Sequence, residues 1–465
     1  MSSVKPAKRG IHSFFTLLKQ ALSGENMDYT TGSIRRAVFL LSVPMVLEMS
    51  MESLFAVVDL FFVGRIGKEA VAAVGLTESV LTIVYSIAVG LSMAATALVS
   101  RRIGEKDEQG AAKSATQAIL IGLVLTLVIS LCGAFLASSI LRIMGAPEEV
   151  VLQGSSYTRI LFGGNIVIML LYLINGIFRG AGNASIAMWS LWIGNGCNII
   201  LCPVLIHFYG LPGAAIATTA GRGIGVCYQL WNLFRGSGRI RLARSYFIPD
   251  HAIIRSILRI AWTGTVQFMI GSASWIVMTR IIALFGNEAI AGYQVFIRIF
   301  LFFILPAWGV SNAAATLVGQ NLGARQAERA EQSVWTAAKY NALFMLFVSL
   351  LFLFCSESIV GFMNRDPAIE KIAIRALHIV SLGYVFYGVG MVVINAFNGA
   401  GDTRTPTLIN LFCFWAFQIP VALLLAIVLH LGPEGVFFAI LLSESAVSIT
   451  GFILFKKGSW KKVSL

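Results

Sequence analysis

The chain has 465 residues, of which 57% are hydrophobic and only 12% charged. An average soluble domain carries about 25% charged residues, so this chain cannot cover a water-facing surface, and a soluble enzyme is excluded. Disorder is excluded too, by 32 Phe, 9 Trp and long aliphatic runs.

The net charge of +13 would point a soluble protein toward nucleic acid. Basic residues also collect on the cytoplasmic loops of membrane proteins, so their positions decide between the two. A spanning helix needs roughly 20 mostly apolar residues. Twelve stretches qualify: 37–62, 71–98, 116–141, 152–178, 184–208, 213–234, 256–285, 289–317, 334–360, 371–397, 405–430 and 435–456. Glycine and proline punctuate the breaks, as in Gly145-Ala-Pro147, Gly210-Leu-Pro212 and Gly432-Pro433. The expected fold is therefore an all-α polytopic membrane protein.

With the N-terminus placed in the cytoplasm, the two tails and alternate loops on that side hold 24 Lys and Arg, against 5 on the other side. The positive-inside rule then puts both termini in the cytoplasm and predicts a multi-pass protein of the cytoplasmic (inner) membrane. The basic charge is explained by the bilayer, with no nucleic acid as partner. Residues 1–36 form a basic cytoplasmic segment without the apolar core of a cleavable signal peptide. Within it, residues 9–22 have an amphipathic pattern that suits a helix at the membrane interface or a loose tail. The six cysteines lie in apolar stretches and form no CxxC pair, and the five histidines form no metal motif. No cofactor is implied.

The second half repeats the first at a shift of 219 residues. Gly67-Lys-Glu69-Ala70 meets Gly286-Asn-Glu288-Ala289, Gly104 meets Gly323, and Phe178-Arg-Gly180-Ala-Gly182 meets Phe397-Asn-Gly399-Ala-Gly401. Each repeat holds six spans. Six is even, so both enter the membrane in the same sense and are related by a pseudo-two-fold along the membrane normal. The expected units are an N-lobe at 37–234, a cytoplasmic linker at 235–255, a C-lobe at 256–456 and a cytoplasmic tail at 457–465. A cleft between two such lobes suits alternating access better than a fixed pore. The polar linker is long enough to permit a hinge.

Charge at membrane depth costs about 2.5–3.5 kcal/mol or more per residue and marks function. The first span carries Glu48, Glu52 and Asp59. At about 100° per residue these spacings place all three carboxylates within an arc of roughly 40°. Three acids in low dielectric cannot all stay ionised cheaply, so such a stripe can load and release a proton or bind a sodium ion. The repeat puts Gln267, Gly271 and Met278 at the equivalent positions, which predicts ion chemistry in the first lobe alone. Asn175, Asn195, Asn198, Thr218 and Thr219 are polar neighbours for the acids or helix-packing groups. Gln267, Met269, Trp275, Gln294 and Arg298 are candidates for lining a substrate cleft, with Arg280 and Arg298 as the basic residues of the second lobe.

The chain resembles the multidrug and toxic compound extrusion (MATE) family over about residues 33–456. The resemblance rests on Pro44 with Val58-Asp59-Leu-Phe-Phe-Val63-Gly64 and Ala72-Ala-Val-Gly75-Leu, on Phe178-Arg-Gly180-Ala-Gly182-Asn183, on Asn198-Ile-Ile-Leu-Cys202-Pro203 with Gly213-Ala-Ala-Ile-Ala217, and on Asn398-Gly-Ala-Gly401-Asp402-Thr403. It implies a cation-coupled antiporter exporting bulky, cationic, amphipathic small molecules, with H⁺ or Na⁺ as the coupling ion and no obligate protein partner. Asp59 occupies the position of the family's first-helix carboxylate, and a sodium ion would sit at Asp59 and Asn198. Where relatives often pair an Asn with an Asp four residues on, this chain has Asn198 and Cys202; Glu52 or Glu48 is expected to supply the missing acid. The alternative is a flippase for a lipid or lipid-linked saccharide, which would use Arg179, Arg222, Arg280 and Arg298 toward a pyrophosphate. A membrane-embedded enzyme would need a HExxH, GxSxG or paired-Asp metal motif, and the sequence has none.

Overall fold

The computed structural model describes residues 7–24, 27–235 and 238–465, and its regular structure among them is helical. A first helix, α1 (Ala7–Ser23), precedes the spans. The first lobe contains α2 (Ile34–Gly64), α3 (Lys68–Gly104), α4 (Glu108–Phe135), the short α5 (Ala137–Ile143), α6 (Glu148–Gly163), α7 (Asn165–Gly180), α8 (Ala184–Tyr209) and α9 (Leu211–Arg235). The second contains α10 (His251–Ile282), α11 (Asn287–Gly323), α12 (Ala327–Met363), α13 (Pro367–Ser381), α14 (Tyr384–Ala400), α15 (Arg404–Val428) and α16 (Pro433–Lys456).

Eight of these helices are individually long and apolar enough to cross a bilayer, and the bent pairs α6–α7 and α13–α14 give two more spans. With α2 and α9, of 31 and 25 residues, the twelve spans are complete. Several run past the expected ends: α3 and α11 have 37 residues each and project beyond the roughly 30 Å hydrocarbon layer. The stretches 152–178 and 371–397, expected as single straight spans, are bent by 43° and 60°. Their breaks fall at Gly164 and at Gly383, which the 219-residue shift superposes. A Cβ would come within 2.5 Å of the Thr219 side chain at Gly164 and within 2.4 Å of the Leu441 side chain at Gly383, so at each bend a neighbouring side chain is seated where a Cβ would be.

The pseudo-symmetry is visible atom by atom. In the first lobe Gly90 of α3 abuts Ala261 and Thr265 of α10; in the second, its counterpart Gly309 of α11 abuts Met45 and Val46 of α2. A Cβ on Gly104 would meet the Gln320 carbonyl, and one on Gly323 the Arg101 carbonyl; the same shift relates both members of each pair. These contacts exchange the leading helices between lobes. Val38, Leu41 and Met45 of α2 pack in the apolar cluster built on α11, α12 and α14. Ile257, Ile260 and Ala261 of α10 pack in the cluster built on α3, α4 and α7. Each lobe thus holds the first half of the other lobe's first helix.

The connection between lobes is not a free tether. Gln117 of α4 donates to the carbonyls of Tyr246 (2.7 Å) and Ile248 (2.9 Å), and Lys113 reaches Asp250 at 2.6 Å. Ile240, Leu242 and Tyr246 pack on the first-lobe core. The described part of 235–255 is therefore strapped to the first lobe. The amphipathic stretch is helical and docks on the start of α2 through Leu17 and Ala21, and Trp189 of α8 donates to the Leu22 carbonyl at 3.3 Å.

Gly309→Val should wedge the α2–α11 contact open at a backbone atom, Met45 O, that lies 2.6 Å from the added Cβ. Overpacking of this kind costs about 1–3 kcal/mol, read as a lower thermal midpoint of the purified protein in detergent. Gly196→Ala, at a helical site with nothing within 4 Å of the new Cβ, should leave the midpoint unchanged or raise it.

Candidate functional site: a buried carboxylate cluster beside an interlobe cavity

Past the crossing at Met45, α2 turns its acids into the first lobe. Glu48 is 1% exposed. Its Oε1 accepts a 2.9 Å bond from Asn175 Nδ2 and lies 3.9 Å from the Arg179 guanidinium. Its Oε2 is buried with no partner. Asn175 is itself fixed, since its Oδ1 accepts from Gln229 and Ser190, while Arg179 donates to Ser92 at 3.2 Å. The Gln229 amide and the Ser190 hydroxyl thus leave Asn175 one orientation, with its NH₂ toward Glu48.

One turn on, Glu52 is the best-satisfied acid. Its Oε1 accepts from Arg222 at 2.9 Å and from the Tyr172 hydroxyl at 3.3 Å, and its Oε2 accepts from Asn195 at 3.4 Å. Arg222 also donates to the Tyr85 hydroxyl (3.2 Å) and lies over the Phe55 ring, 4.9 Å from its centroid. A guanidinium offers five donors and does not deprotonate in proteins, so the pair is a fixed charge-neutral unit. Asp59, two turns further, is half-buried, and its Oδ1 is buried without a partner. It lies close enough to Arg222, Glu78 and Cys202 for its charge to act on them.

Of the residues expected around the acids, Asn175 is on Glu48, Asn195 on Glu52, and the fully buried Cys202 near Asp59. Asn198 instead donates to Thr218 at 3.1 Å and leaves its Oδ1 without a partner. Thr219 packs against Gly164 at the bend of α6–α7 and takes no part in the cluster. Arg179, read from the sequence as a loop residue, belongs to the last turn of α7 and is buried. Two further acids, Glu78 and Glu444, stand alone in their spans. Both are acids inside predicted spans, the same signal that singled out α2.

A cavity of about 420 Å³ separates the lobes. Glu48, Glu52, Tyr172, Asn175 and Arg179 line its first-lobe wall, and Phe268, Trp308, Asn312, Asn395 and Asn398 its second-lobe wall. Phe268, Trp308, Asn395 and Asn398 are shared with a second cavity of about 470 Å³, walled mainly by the second lobe and closed on one side by Ser79, Thr82 and Met93 of α3, so the two are chambers of one space. Of the cleft candidates, Gln267 and Trp275 line the second chamber. Met269 is 41% exposed, and Gln294, Arg298 and Arg280 are exposed as well. None of these four lines either chamber. Asp59 lines neither chamber. Among the described residues no three His, Cys, Asp or Glu side chains are grouped to hold a metal ion.

Removing one partner of a buried ion pair costs about 3–5 kcal/mol, because the other charge is left uncompensated. Arg222→Leu should therefore lower the unfolding midpoint sharply, and Arg222→Leu with Glu52→Leu should regain much of the loss. A thermal-shift double-mutant cycle reads both; additive effects would mean that the two side chains are not coupled.

Comparison with known proteins agrees with this architecture. The MatE family matches residues 44–204 and 265–424, once in each half. A probable multidrug resistance protein NorM of Thermotoga maritima is 24% identical over 459 residues, covering 96% of this chain and 97% of that protein. A probable multidrug resistance protein YoeA of Bacillus subtilis is 25% identical over 442 residues, covering 92% and 95%. A solved structure described as the outward-facing conformation of a multidrug resistance MATE family transporter of the MOP superfamily superposes with a TM-score of 0.89 at 26% identity, covering 94% of this chain and 99% of that one. With a family match in both halves and the twelve-span, two-lobed fold in common, this chain belongs to the MatE family of membrane transporters and is not an enzyme.

Proposed function

We propose that this chain is a secondary antiporter of the cytoplasmic membrane, with both termini in the cytoplasm. It exports amphipathic cationic compounds and couples their exit to inward movement of H⁺ or Na⁺ through the carboxylates of α2. The names of the relatives, multidrug resistance proteins, support the cargo class. The observation that carries the reading is the position of Glu48. It has a bare buried oxygen, it borders the interlobe cavity, and it sits one turn past the point where α2 is gripped by the opposite lobe.

The geometry divides the three acids by role. Glu52 is matched by Arg222 and is a fixed part of the scaffold. Glu48 and Asp59 each keep a buried oxygen without a donor, so they are the groups with most to gain from an ion. Glu48 rather than Glu52 then stands in for the acid missing at Cys202. A sodium ion in this lobe would draw on the free oxygens of Asp59 and Asn198. With the cleft open outward, a proton or sodium ion neutralises Asp59 and Glu48. Neutralisation lowers the cost of bending α2 near Pro44, whose missing N–H already weakens the helix there, or near Gly64. Bending α2 alters the cavity wall, and a cationic cargo that loses its counter-charge is released. The chain returns inward, gives up the ion and reloads. A flippase reading would need free arginines for a pyrophosphate. Arg179 and Arg222 are engaged with Glu48 and Glu52, and Arg280 and Arg298 are exposed, which favours the antiporter.

The test is ethidium efflux in cells stripped of their main exporters, with an uncoupler and with sodium present or withdrawn. Efflux by the wild type should collapse with one of the two treatments. Asp59→Asn and Glu48→Gln should each reduce coupled efflux by at least tenfold, and the purified Asp59→Asn protein should bind cationic dye more weakly than wild type. Efflux indifferent to both treatments, or equal dye affinity in Asp59→Asn and wild type, would sink this cycle.

A further inference from the structure

The second chamber holds a carboxylate that the α2 mechanism does not use. Glu444 lies near the middle of α16, is 6% exposed and lines the chamber wall. Its backbone carbonyl accepts from Ser448. Among the described residues its side chain receives no hydrogen bond and no basic residue acts on it. Arg375 of α13 pairs with Glu434 at the start of α16, and Lys456 at its far end lies over the Phe452 ring. Glu48 and Glu52, by contrast, each face a guanidinium inside their own lobe.

The surroundings are those of a cation box. Trp275 and Phe300 are in tilted contact at 5.3 Å between ring centroids, and Phe300 stacks on Tyr387 at 6.0 Å; Trp275, Phe300 and Tyr387 all line the chamber with Glu444. Phe268 and Trp308, stacked at 6.2 Å, stand where the chamber joins the interlobe cavity. Aromatic faces attract cations and pack against flat apolar bodies. Two further chamber residues are short of partners: both amide atoms of Asn398 and the Oε1 of Gln267 are buried without hydrogen bonds. An acid that the protein leaves uncompensated inside an aromatic chamber is matched by a ligand that brings the positive charge.

We propose that Glu444 is the counter-charge for a monovalent organic cation, a quaternary or protonated onium group on an aromatic body, held in the second-lobe chamber. The chamber's volume of about 470 Å³ lies within the roughly 300–1,000 Å³ of small-molecule sites. Glu444 sets charge preference, and the acids of α2 take the coupling ion. This assignment rests on the reading of cationic cargo above and adds the residue that recognises the charge.

The experiment is equilibrium binding to the purified full chain in detergent, with tetraphenylphosphonium as the cation and triphenylphosphine oxide as a neutral analogue. Glu444→Gln should weaken tetraphenylphosphonium binding at least tenfold and leave the neutral compound within about twofold, and Glu444→Asp should keep most of the cation affinity. A second measurement needs no variant: dicyclohexylcarbodiimide modification of Glu444, followed by mass spectrometry, should be slowed by tetraphenylphosphonium and not by the neutral analogue. Unchanged cation binding in Glu444→Gln, equal loss of both compounds, or labelling of wild-type Glu444 that ignores the cation would each overturn the assignment. The first and third of these in a protein that still exports ethidium would leave the export reading standing. A wild type that binds neither compound and exports no dye would remove both.

Discussion

The bilayer interior supplies neither counter-ions nor water, so every charge brought to its centre has to be answered by the protein. The arrangement of the first lobe follows from that constraint. Glu52 draws in Arg222 from α9, Tyr172 from α7 and Asn195 from α8, and Glu48 draws in Asn175 and Arg179 from α7. Three helices converge on one face of α2 because two carboxylates there have to be satisfied. The compensation is uneven, and the unevenness gives the site its chemistry. An acid with a bidentate environment and a guanidinium is structural. An acid with a bare buried oxygen is a place where a proton or cation lowers the energy of the whole cluster.

Duplication built the frame and left the chemistry out. The bends at Gly164 and Gly383, the lobe contacts at Gly90 and Gly309, and those at Gly104 and Gly323 recur at one spacing, because each brings a neighbour to where a Cβ would sit: a side chain at the two bends, backbone at the four interlobe contacts. The α2 acids have no counterparts at Gln267, Gly271 and Met278. The carboxylate of the second lobe, Glu444, comes instead from its last span. Two lobes with one scaffold therefore present opposite walls of one cavity that differ in character: a hydrogen-bonded network of paired charge on one side, an aromatic chamber with a single unpaired acid on the other.

Much of this was legible in the sequence. Span number, lobe count and pseudo-symmetry follow from hydropathy, charge placement and the repeat, since each reports a long-range pattern with many independent residues. The stripe of Glu48, Glu52 and Asp59 on one helix face follows from the helical period. What escaped was whatever depends on which helix face meets which neighbour. Arg179 read as a loop residue because the Gly180-Ala-Gly182 break begins beside it, although the helix continues one residue past it. Arg298 and Gln294 read as cleft residues because they are polar within a span, yet the bundle leaves that face of α11 exposed. Glu78 and Glu444 carried the same intramembrane signal as the α2 acids but stood alone in their spans, without the spacing that drew attention to α2. The strapping of the linker to α4 by Gln117 has no sequence signature at all, since it uses backbone carbonyls of the linker and a lone amide.

An ion can drive transport only by binding one conformation more tightly than the other. For a coupling site that difference has to arise where the two conformations differ in structure, and α2 is the element placed to supply it. Its first half belongs to the second lobe's apolar cluster and its second half to the first lobe's polar network, with Pro44 and the Met45–Gly309 contact at the boundary. Any relative motion of the lobes therefore has to bend, shift or release α2 at that boundary, and Glu48 is the first charged group beyond it. Its environment changes with the motion, whereas Glu52, anchored by Arg222 on the far side, moves with its lobe. A tenfold preference of an ion for one state needs about 1.4 kcal/mol of differential interaction. A change in the Asn175 bond, or in the 3.9 Å separation from Arg179, is of that order at low dielectric. On the proposed antiport cycle, the helix shared between the lobes is thus where an ion-binding energy would be turned into a change of access.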